Sequence, residues 1–231
     1  MIDLHTHTFA SDGELLPSEL IRRAVAAGYR AIGITDHADE TNMEDLVRRA
    51  VEASRAWKTT AEIQVIPGVE ITHVPPGRIP ELAAKARELG ALLVVVHGET
   101  ITEPVAPGTN AAAAGCPDVD ILAHPGLISK TDAALAAENE VYLEITARSG
   151  HSAANGHVAF TGRASGASLI LNTDAHAPGD LISMKMAETI LAASGLDSGE
   201  GKTVFQNADR LLRIITSRGF NPIIHHSSED S

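Results

Sequence analysis

The sequence predicts an α/β fold in a single domain, a closed barrel of parallel strands ringed by helices. Three observations predict it. Seven short apolar segments alternate with helical stretches along 231 residues, joined by turns containing Gly and Pro. Segments such as Leu92-Leu93-Val94-Val95-Val96 are continuously apolar, as in parallel strands covered on both faces. Polar residues gather where these segments end, the edge at which barrels carry their active sites. An open doubly wound sheet is the alternative, but it would seat a ligand at one switch point rather than draw residues from every strand.

The first strand is Asp3-Leu4-His5-Thr6-His7, where Ile2 and Leu4 alternate with Asp3 and His5 as in a half-buried strand. His5 and His7 share a face, and two converging imidazoles suit a divalent transition metal at about 2.0–2.2 Å. Ser11-Asp12-Gly13 follows. Leu20, Ile21, Ala24 and Val25 make Pro17 to Ala27 an amphipathic helix, closed by Gly28. Strand Ala31 to Ile34 leads into Thr35-Asp36-His37, and a charged helix runs from about Met43 to Thr59. The third strand, Ile63 to Val69, is expected to break at Pro67-Gly68 and ends in Glu70.

The unit then repeats. Helix Ile79 to Leu89 precedes strand Leu92 to Val96 and His97. A small helix near Ala111 to Ala114 precedes strand Val119 to Leu122 and His124-Pro125-Gly126. Helix Ala133 to Ala137 precedes strand Val141 to Ile145, which carries Glu144. A helix around Ala153 to Arg163 precedes strand Ser168 to Leu171 and Asn172-Thr173-Asp174-Ala175-His176. Leu181 to Ala193 and Val204 to Thr216 close the series. The expected domain spans residues 1–220, followed by a polar tail, 221–231, that contains His225 and His226.

A composition of 44% apolar residues and a mean hydropathy of +0.02 allow a sizeable core. The net charge of −12 argues against a sequence-independent grip on nucleic acid, so no such partner is expected. A cluster of multivalent cations would reverse that sign locally and admit an anionic substrate. Cys116 is the single cysteine and cannot form an internal disulfide. With no basic segment leading into an apolar one at the N-terminus, and apolar runs far too short for a bilayer, a cytoplasmic location without membrane contact is expected.

The strand ends together supply His5, His7, His37, Glu70, His97, His124, Asp174 and His176, and the first loop adds Asp12. These nine side chains are all His, Asp or Glu, the donors preferred by zinc, manganese and iron. Nine exceeds the needs of one ion, since a catalytic zinc typically takes three protein ligands and a water. Two or three divalent ions, with Glu70 bridging a pair, is the economical arrangement.

Asp3-Leu4-His5-Thr6-His7 with Ser11-Asp12-Gly13, Thr35-Asp36-His37, Pro67-Gly68-Val69-Glu70, Ala123-His124-Pro125-Gly126 and Thr173-Asp174-Ala175-His176 resemble, in order, the motifs of the PHP (polymerase and histidinol phosphatase) phosphoesterases. The resemblance covers about residues 1–195. It implies a distorted seven-stranded (β/α) TIM-like barrel and a di- or trinuclear centre of manganese, iron or zinc. Carried over position by position, His5, His7, Glu70 and Asp174 would hold a first ion, Glu70, His97 and His124 a second, and Asp12, His37 and His176 a third. Asp12 stands where some members have histidine, which implies a weaker or differently loaded third site. Glu70, Asp174 and His176 form the expected catalytic set, and a water bridging two ions would lose a proton near neutral pH and attack.

Around this set, Glu144 and Asp36 are expected to orient ligands or water. Arg148, Ser149, His151 and Asn155 are candidate substrate contacts, with His157 in the same loop and His73 on the rim. Arg148 could fork onto a phosphate, the alternative being a surface ion pair. Cys116 lies in a small-residue turn and is expected to fill space. The leading expectation is therefore a metal-dependent phosphomonoesterase acting on a small anionic ester such as histidinol phosphate or a nucleotide. The competing ones are an exonuclease-like phosphodiesterase, an amidohydrolase-type C–N or C–O hydrolase, and a non-enzymatic metal-binding regulatory module.

Overall fold

A computed structural model describes residues 1–60 and 62–219; the expected tail, with His225 and His226, lies outside them. The strands are β1 (Ile2–Asp3), β2 (Ala31–Ile34), β3 (His37–Ala38), β4 (Gln64–Ile71), β5 (Leu93–His97), β6 (Ile121–Ala123), β7 (Tyr142–Thr146) and β8 (Leu169–Asn172). The helices are α1 (Pro17–Ala26), α2 (Met43–Trp57), α3 (Ile79–Leu89), α4 (Thr109–Ala114), α5 (Lys130–Glu138), α6 (Asn155–Ser165), α7 (Met184–Ala193) and α8 (Ser198–Ser217). All strand pairs are parallel, in the order β1-β2-β4-β5-β6-β7-β8, with the short β3 beside β4. Beyond β1 the ring nearly closes: Thr6 pairs with Ala175, His7 N–H donates to Ala175 O at 2.9 Å, and Asp174 N–H donates to His5 O at 3.0 Å. The fold is an α/β TIM-like barrel of seven parallel strands.

Alternate strand residues Ile2, Leu4, Ala31, Ile66, Leu93, Val95, Ile121, Ala123, Tyr142 and Ile170 form one buried cluster with Ala208, Leu211, Leu212 and Ile215 of α8. Residues two apart share a face, so this is the barrel interior, and α8 plugs its lower mouth. The intervening residues, among them Val69, Val94, Val96, Leu122, Leu143 and Leu169, pack outward on the surrounding helices. Both faces of each strand are thereby buried, the reason the strands read as unbroken apolar runs. Truncating a side chain such as Leu93, 0% exposed, to Ala would cost about 2–5 kcal/mol.

Four expectations need correction. The first strand is not half-buried; every residue from Ile2 to Thr8 is buried. Its ladder also stops at Asp3, because Leu4 N–H turns to Asn172 Oδ1 (2.8 Å) and His5 N–H to Asp3 Oδ1 (3.3 Å). This kink lets both Leu4 and His5 face inward. Second, β4 runs unbroken through Pro67-Gly68, with Pro67 O accepting Leu92 N–H at 2.9 Å. Gly68 is required there, because a Cβ would lie 2.7 Å from the Leu93 carbonyl oxygen. Third, α8 begins at Ser198, not Val204: Asp197 caps the N–H groups of Gly199 and Glu200, and Glu200 reaches back to the Asp197 N–H. Fourth, Pro178–Asp180 forms a separate turn, so α7 starts only after Ser183, which caps it.

No helix among the described residues is long and apolar enough to cross a membrane.

Candidate metal centre

The interior parity of the strands carries polar side chains to the upper mouth. Ile66 and Gly68 lead to Glu70, Leu93 and Val95 to His97, Tyr142 to Glu144, and Ile170 to Asn172. The kinked first strand brings His5 and His7 to the same place, β3 brings His37 beside Glu70, and the loops after β6 and β8 bring His124, Asp174 and His176. All nine expected donors converge. Donor atoms of His7, Asp12, His37 and His176 lie within 4.8 Å of one another, as do those of His5, His7 and Asp174, and those of Glu70, His97 and His124. His7 therefore reaches two groups, which the sequence did not reveal.

Glu70 sits at the centre and is fully buried. Its Oε1 lies 3.3 Å from His5 Nε2 and 3.6 Å from His124 Nε2. Its Oε2 lies 2.7 Å from His37 Nδ1 and 3.6 Å from His7 Nε2. Asp174 closes the far side, with Oδ1 3.1 Å from His7 Nε2 and Oδ2 3.6 Å from His124 Nε2. Asp12, exposed by half, turns Oδ1 to His176 Nε2 at 3.1 Å and His37 Nε2 at 3.5 Å.

Other side chains fix these donors. Glu144 Oε1 meets His5 Nδ1 (2.9 Å) and accepts from Asn172 Nδ2 (2.8 Å), while Oε2 accepts the His124 N–H (3.1 Å). Asp36 accepts from Thr8 N–H and Ser11 Oγ, both at 2.7 Å, and so pins the loop that presents Asp12. Gly13 packs on the same loop, where a Cβ would lie 2.6 Å from His7 O. His124 (φ 27°) and Asp174 (φ 53°) both have left-handed backbones, which cost of order 1 kcal/mol or more in a non-glycine residue.

The electrostatics are those of a cage built for cations. Burial opposes ionisation of Glu70, yet His5 and His37 hold its carboxyl well below the usual range. Burial draws His5 down, but Glu144, Glu70 and Asp174 outweigh it and hold the imidazole well above its ordinary value. His37, drawn down by burial and up by Glu70 and Asp12, rises to about 10. Burial and neighbouring imidazoles push His7 and His124 well below theirs. Burial pushes Asp174 up to about 7, against the pull of His5 and with the repulsion of Glu70 and Glu144.

Five buried atoms here have no hydrogen-bond partner among the described residues: His7 Nδ1, both Glu70 oxygens, His124 Nδ1 and Asp174 Oδ1. Leaving such groups unmatched costs roughly 1–3 kcal/mol each. His5 and His7 also face each other through Nε2 at 3.1 Å. Ring nitrogens crowded against one another and against unmatched carboxylate oxygens fit divalent cations with mixed nitrogen and oxygen ligands.

The remaining candidates divide. Arg148 Nη1 pairs with Asp180 Oδ2 at 3.2 Å, and that oxygen also accepts the N–H groups of His176 (2.9 Å) and Ala177 (2.8 Å). Arg148 and Ser149 line a cavity of about 340 Å³ with Thr173, Gly179 and Asp180. His151 stacks on His124 with ring centroids 4.3 Å apart. Asn155 does not face a substrate: its Oδ1 accepts Thr146 N–H (3.1 Å) and its Nδ2 donates to Thr146 O (2.8 Å). His157 meets Ile128 O at 2.8 Å, away from the donors. His73 does lie on the rim, 3.1 Å from Glu103. Sequence reasoning missed Glu103, because it sits in a loop with no periodicity and no flanking histidine. Cys116 is buried and fills core space, as expected.

An uncharacterized protein of Methanocaldococcus jannaschii is 50% identical over 199 residues, covering 86% of this chain and 91% of that protein. Among solved structures, a chain from an archaeal ribonuclease P with mature tRNA matches with a TM-score of 0.72 and 15% identity, over 100% of this chain and 97% of that one. A histidinol phosphate phosphatase from Lactococcus lactis, complexed with zinc, L-histidinol and phosphate, matches at a TM-score of 0.57 and 15% identity, over 95% and 94%. At such identities these two structures share the fold. The model of the PHP domain matches residues 3–217, nearly the whole chain, and the chain belongs to the PHP family.

Proposed function

We propose that this PHP-family, metal-dependent hydrolase acts on phosphate monoesters of small anionic molecules, with histidinol phosphate and nucleotides as the leading substrates. The observation that carries the reading is the buried, central Glu70, whose Oε1 lies between His5 and His124 and whose Oε2 lies between His37 and His7, imidazoles assigned to all three ions. In this reading His5, His7, Glu70 and Asp174 hold a first divalent ion, Glu70, His97 and His124 a second, and Asp12, His37 and His176 a third, each manganese, iron or zinc. Bound cations would supply Lewis-acid stabilisation of phosphate charge and make water more acidic.

The chain's own residues do the rest. Asp174 Oδ1, buried and without a donor, is assigned to take up the proton of an attacking water. Glu144 and Asn172 keep His5 from rotating, and Asp36 and Asp180 hold the loops that present Asp12 and His176. One guanidinium nitrogen of Arg148 is engaged by Asp180, and the remaining face is assigned to a substrate oxygen at the 340 Å³ cavity, with Ser149 beside it. His151, behind His124, is assigned to the edge of the substrate site.

The test is phosphate release by metal-loaded protein from a panel of monoesters, diesters and amides. Monoesters should be turned over at least tenfold faster than diesters. Faster cleavage of a carboxamide than of any phosphate ester would overturn the reading.

A second reading draws on the likeness in fold to a chain of ribonuclease P. There the chain would serve an RNA, as a nuclease or as a subunit of a larger particle. The net charge of −12 weighs against it. A short RNA with a 5′ end label in the same panel tests it directly.

A further inference from the structure

His97 ends β5 with its ring fixed: Nδ1 lies 3.1 Å from Gly98 O, so Nδ1 donates to that carbonyl and Nε2 is the nitrogen left to serve as a metal ligand. The chain then turns through Thr100 to Thr102 and returns Glu103 to the mouth of the barrel. Glu103 Oε2 lies 3.2 Å from His97 Nε2 and 3.1 Å from His73 Nε2, and its Oε1 lies 3.3 Å from His151 Nε2. Loops following β4, β5 and β7 thus meet on one carboxylate that is not among the nine donors described above.

We propose that His73, His97 and Glu103 form an outer divalent-cation position, alternative to the inner position where His97 joins Glu70 and His124. The donor spacing supports it. Two ligands about 2.0–2.2 Å from one ion, at tetrahedral or octahedral angles, stand roughly 2.8–3.6 Å apart. The three outer donors lie within 4.8 Å of one another, the same limit that the inner three satisfy. His73, with a left-handed backbone (φ 54°), has its Nε2 3.1 Å from Glu103 Oε2.

Exposure gives the outer position its role. The Glu70 and His124 side chains are 0% and 1% exposed, whereas those of His73 and Glu103 are 41% and 37% exposed. One Nε2 lone pair serves one ion at a time, so an ion at the outer position precedes or follows occupation of the inner one. The outer trio is a staging point through which a zinc-, manganese- or iron-type cation enters and leaves, with His97 as the pivot. His151, held through Nδ1 by Thr100 (2.5 Å) and Thr102 (3.0 Å), braces the carboxylate from behind.

This inference rests on the reading that His97 holds an ion, and the test separates the two. Metal-free protein and its Glu103→Gln and His73→Ala variants are mixed with Zn²⁺, and uptake and chelator-driven loss are followed by stopped flow with a zinc indicator. Equilibrium zinc content comes from dialysis and elemental analysis. In both variants one phase of uptake and loss should slow by roughly tenfold, with the final content unchanged. In a His124→Ala background, adding Glu103→Gln should remove one further ion per chain. Unchanged exchange rates together with equal zinc content in the His124→Ala pair would reduce Glu103 to a hydrogen-bonded carboxylate and overturn the proposal alone. A wild-type chain that takes up no zinc would overturn it together with the underlying metal reading.

Discussion

Glu144 Oε1 lies 2.9 Å from Nδ1 of His5, on the opposite side of the ring from the Nε2 that faces Glu70 and Asp174. A carboxylate so placed fixes which imidazole nitrogen carries the proton, leaving the other as a lone-pair donor directed into the cage. Because Glu144 also accepts the His124 backbone N–H, it orients donors of both inner positions. Glu144→Gln keeps the volume but removes the negative charge behind His5. Metal affinity should fall by about 10–100-fold while the far-ultraviolet spectrum stays unchanged, as measured by chelator competition. Wild-type affinity would remove Glu144 from the cage.

Glu70→Gln tests the centre. Both Glu70 oxygens face imidazoles, so an amide in its place introduces N–H groups directed at the cations and removes one negative charge. The variant should retain fewer ions than wild type in elemental analysis and lose turnover by roughly three orders of magnitude or more. Full metal content with full activity would show that Glu70 bridges nothing.

Much of this was legible in the sequence because strand parity imposes it. A buried parallel strand reads as an apolar run, and a polar residue on the interior register at its upper end has only the mouth of the barrel to occupy. Glu70, His97 and Glu144 were found this way. What escaped depends on contacts between loops. Nothing local places Glu103 against His73, or pairs Arg148 with an aspartate 32 positions away. Asn155 looked like a rim residue because it follows β7, but its amide is matched to the Thr146 backbone. The start of α8 was readable from Asp197 and Glu200 as a capping pair and was missed because the apolar periodicity begins later.

Arg148 and Asp180 make a second test of that loop contact. If the guanidinium also meets substrate, Arg148→Ala should raise KM for phosphate esters by roughly ten- to a hundredfold with metal content intact. Asp180→Asn should instead loosen the His176 and Ala177 N–H contacts and lower retention of the ion at Asp12, His37 and His176. Equal loss of that ion in both variants, with KM unchanged, would confine Arg148 to holding Asp180.

Cys116 is 3% exposed, and burial pushes its thiol above the ordinary range. A buried, protonated thiol is a poor nucleophile. In native protein it should react with an aromatic disulfide reagent at least a hundredfold more slowly than in denatured protein. Comparable rates would show that the turn around Gly115 opens readily.

The pH dependence of the metal-free chain should run opposite to that of the loaded one. In the folded metal-free chain His5, His37 and His97 have raised values, about 10 for His37. Each therefore keeps a proton that the unfolded chain releases above about pH 6.5. Their contribution to stability is fully present below about pH 6.5 and is lost as pH rises through the folded values, by up to about 1.4 kcal/mol per unit for each proton of difference. His7, His124 and His151 are lowered, so their effect is confined to pH below about 7. The lowered Met1 amine acts in the opposite direction near pH 8 but is one group against three. Between pH 7 and 10 the melting temperature of metal-free protein should therefore fall. Metal binding requires these imidazoles to be unprotonated, so zinc affinity should rise over the same interval and proton release should accompany binding. Scanning calorimetry of chelated protein and titration calorimetry in two buffers of different ionisation enthalpy measure the two trends. A melting temperature that climbs with pH in the metal-free chain would show that the imidazoles around Glu70 are not held protonated.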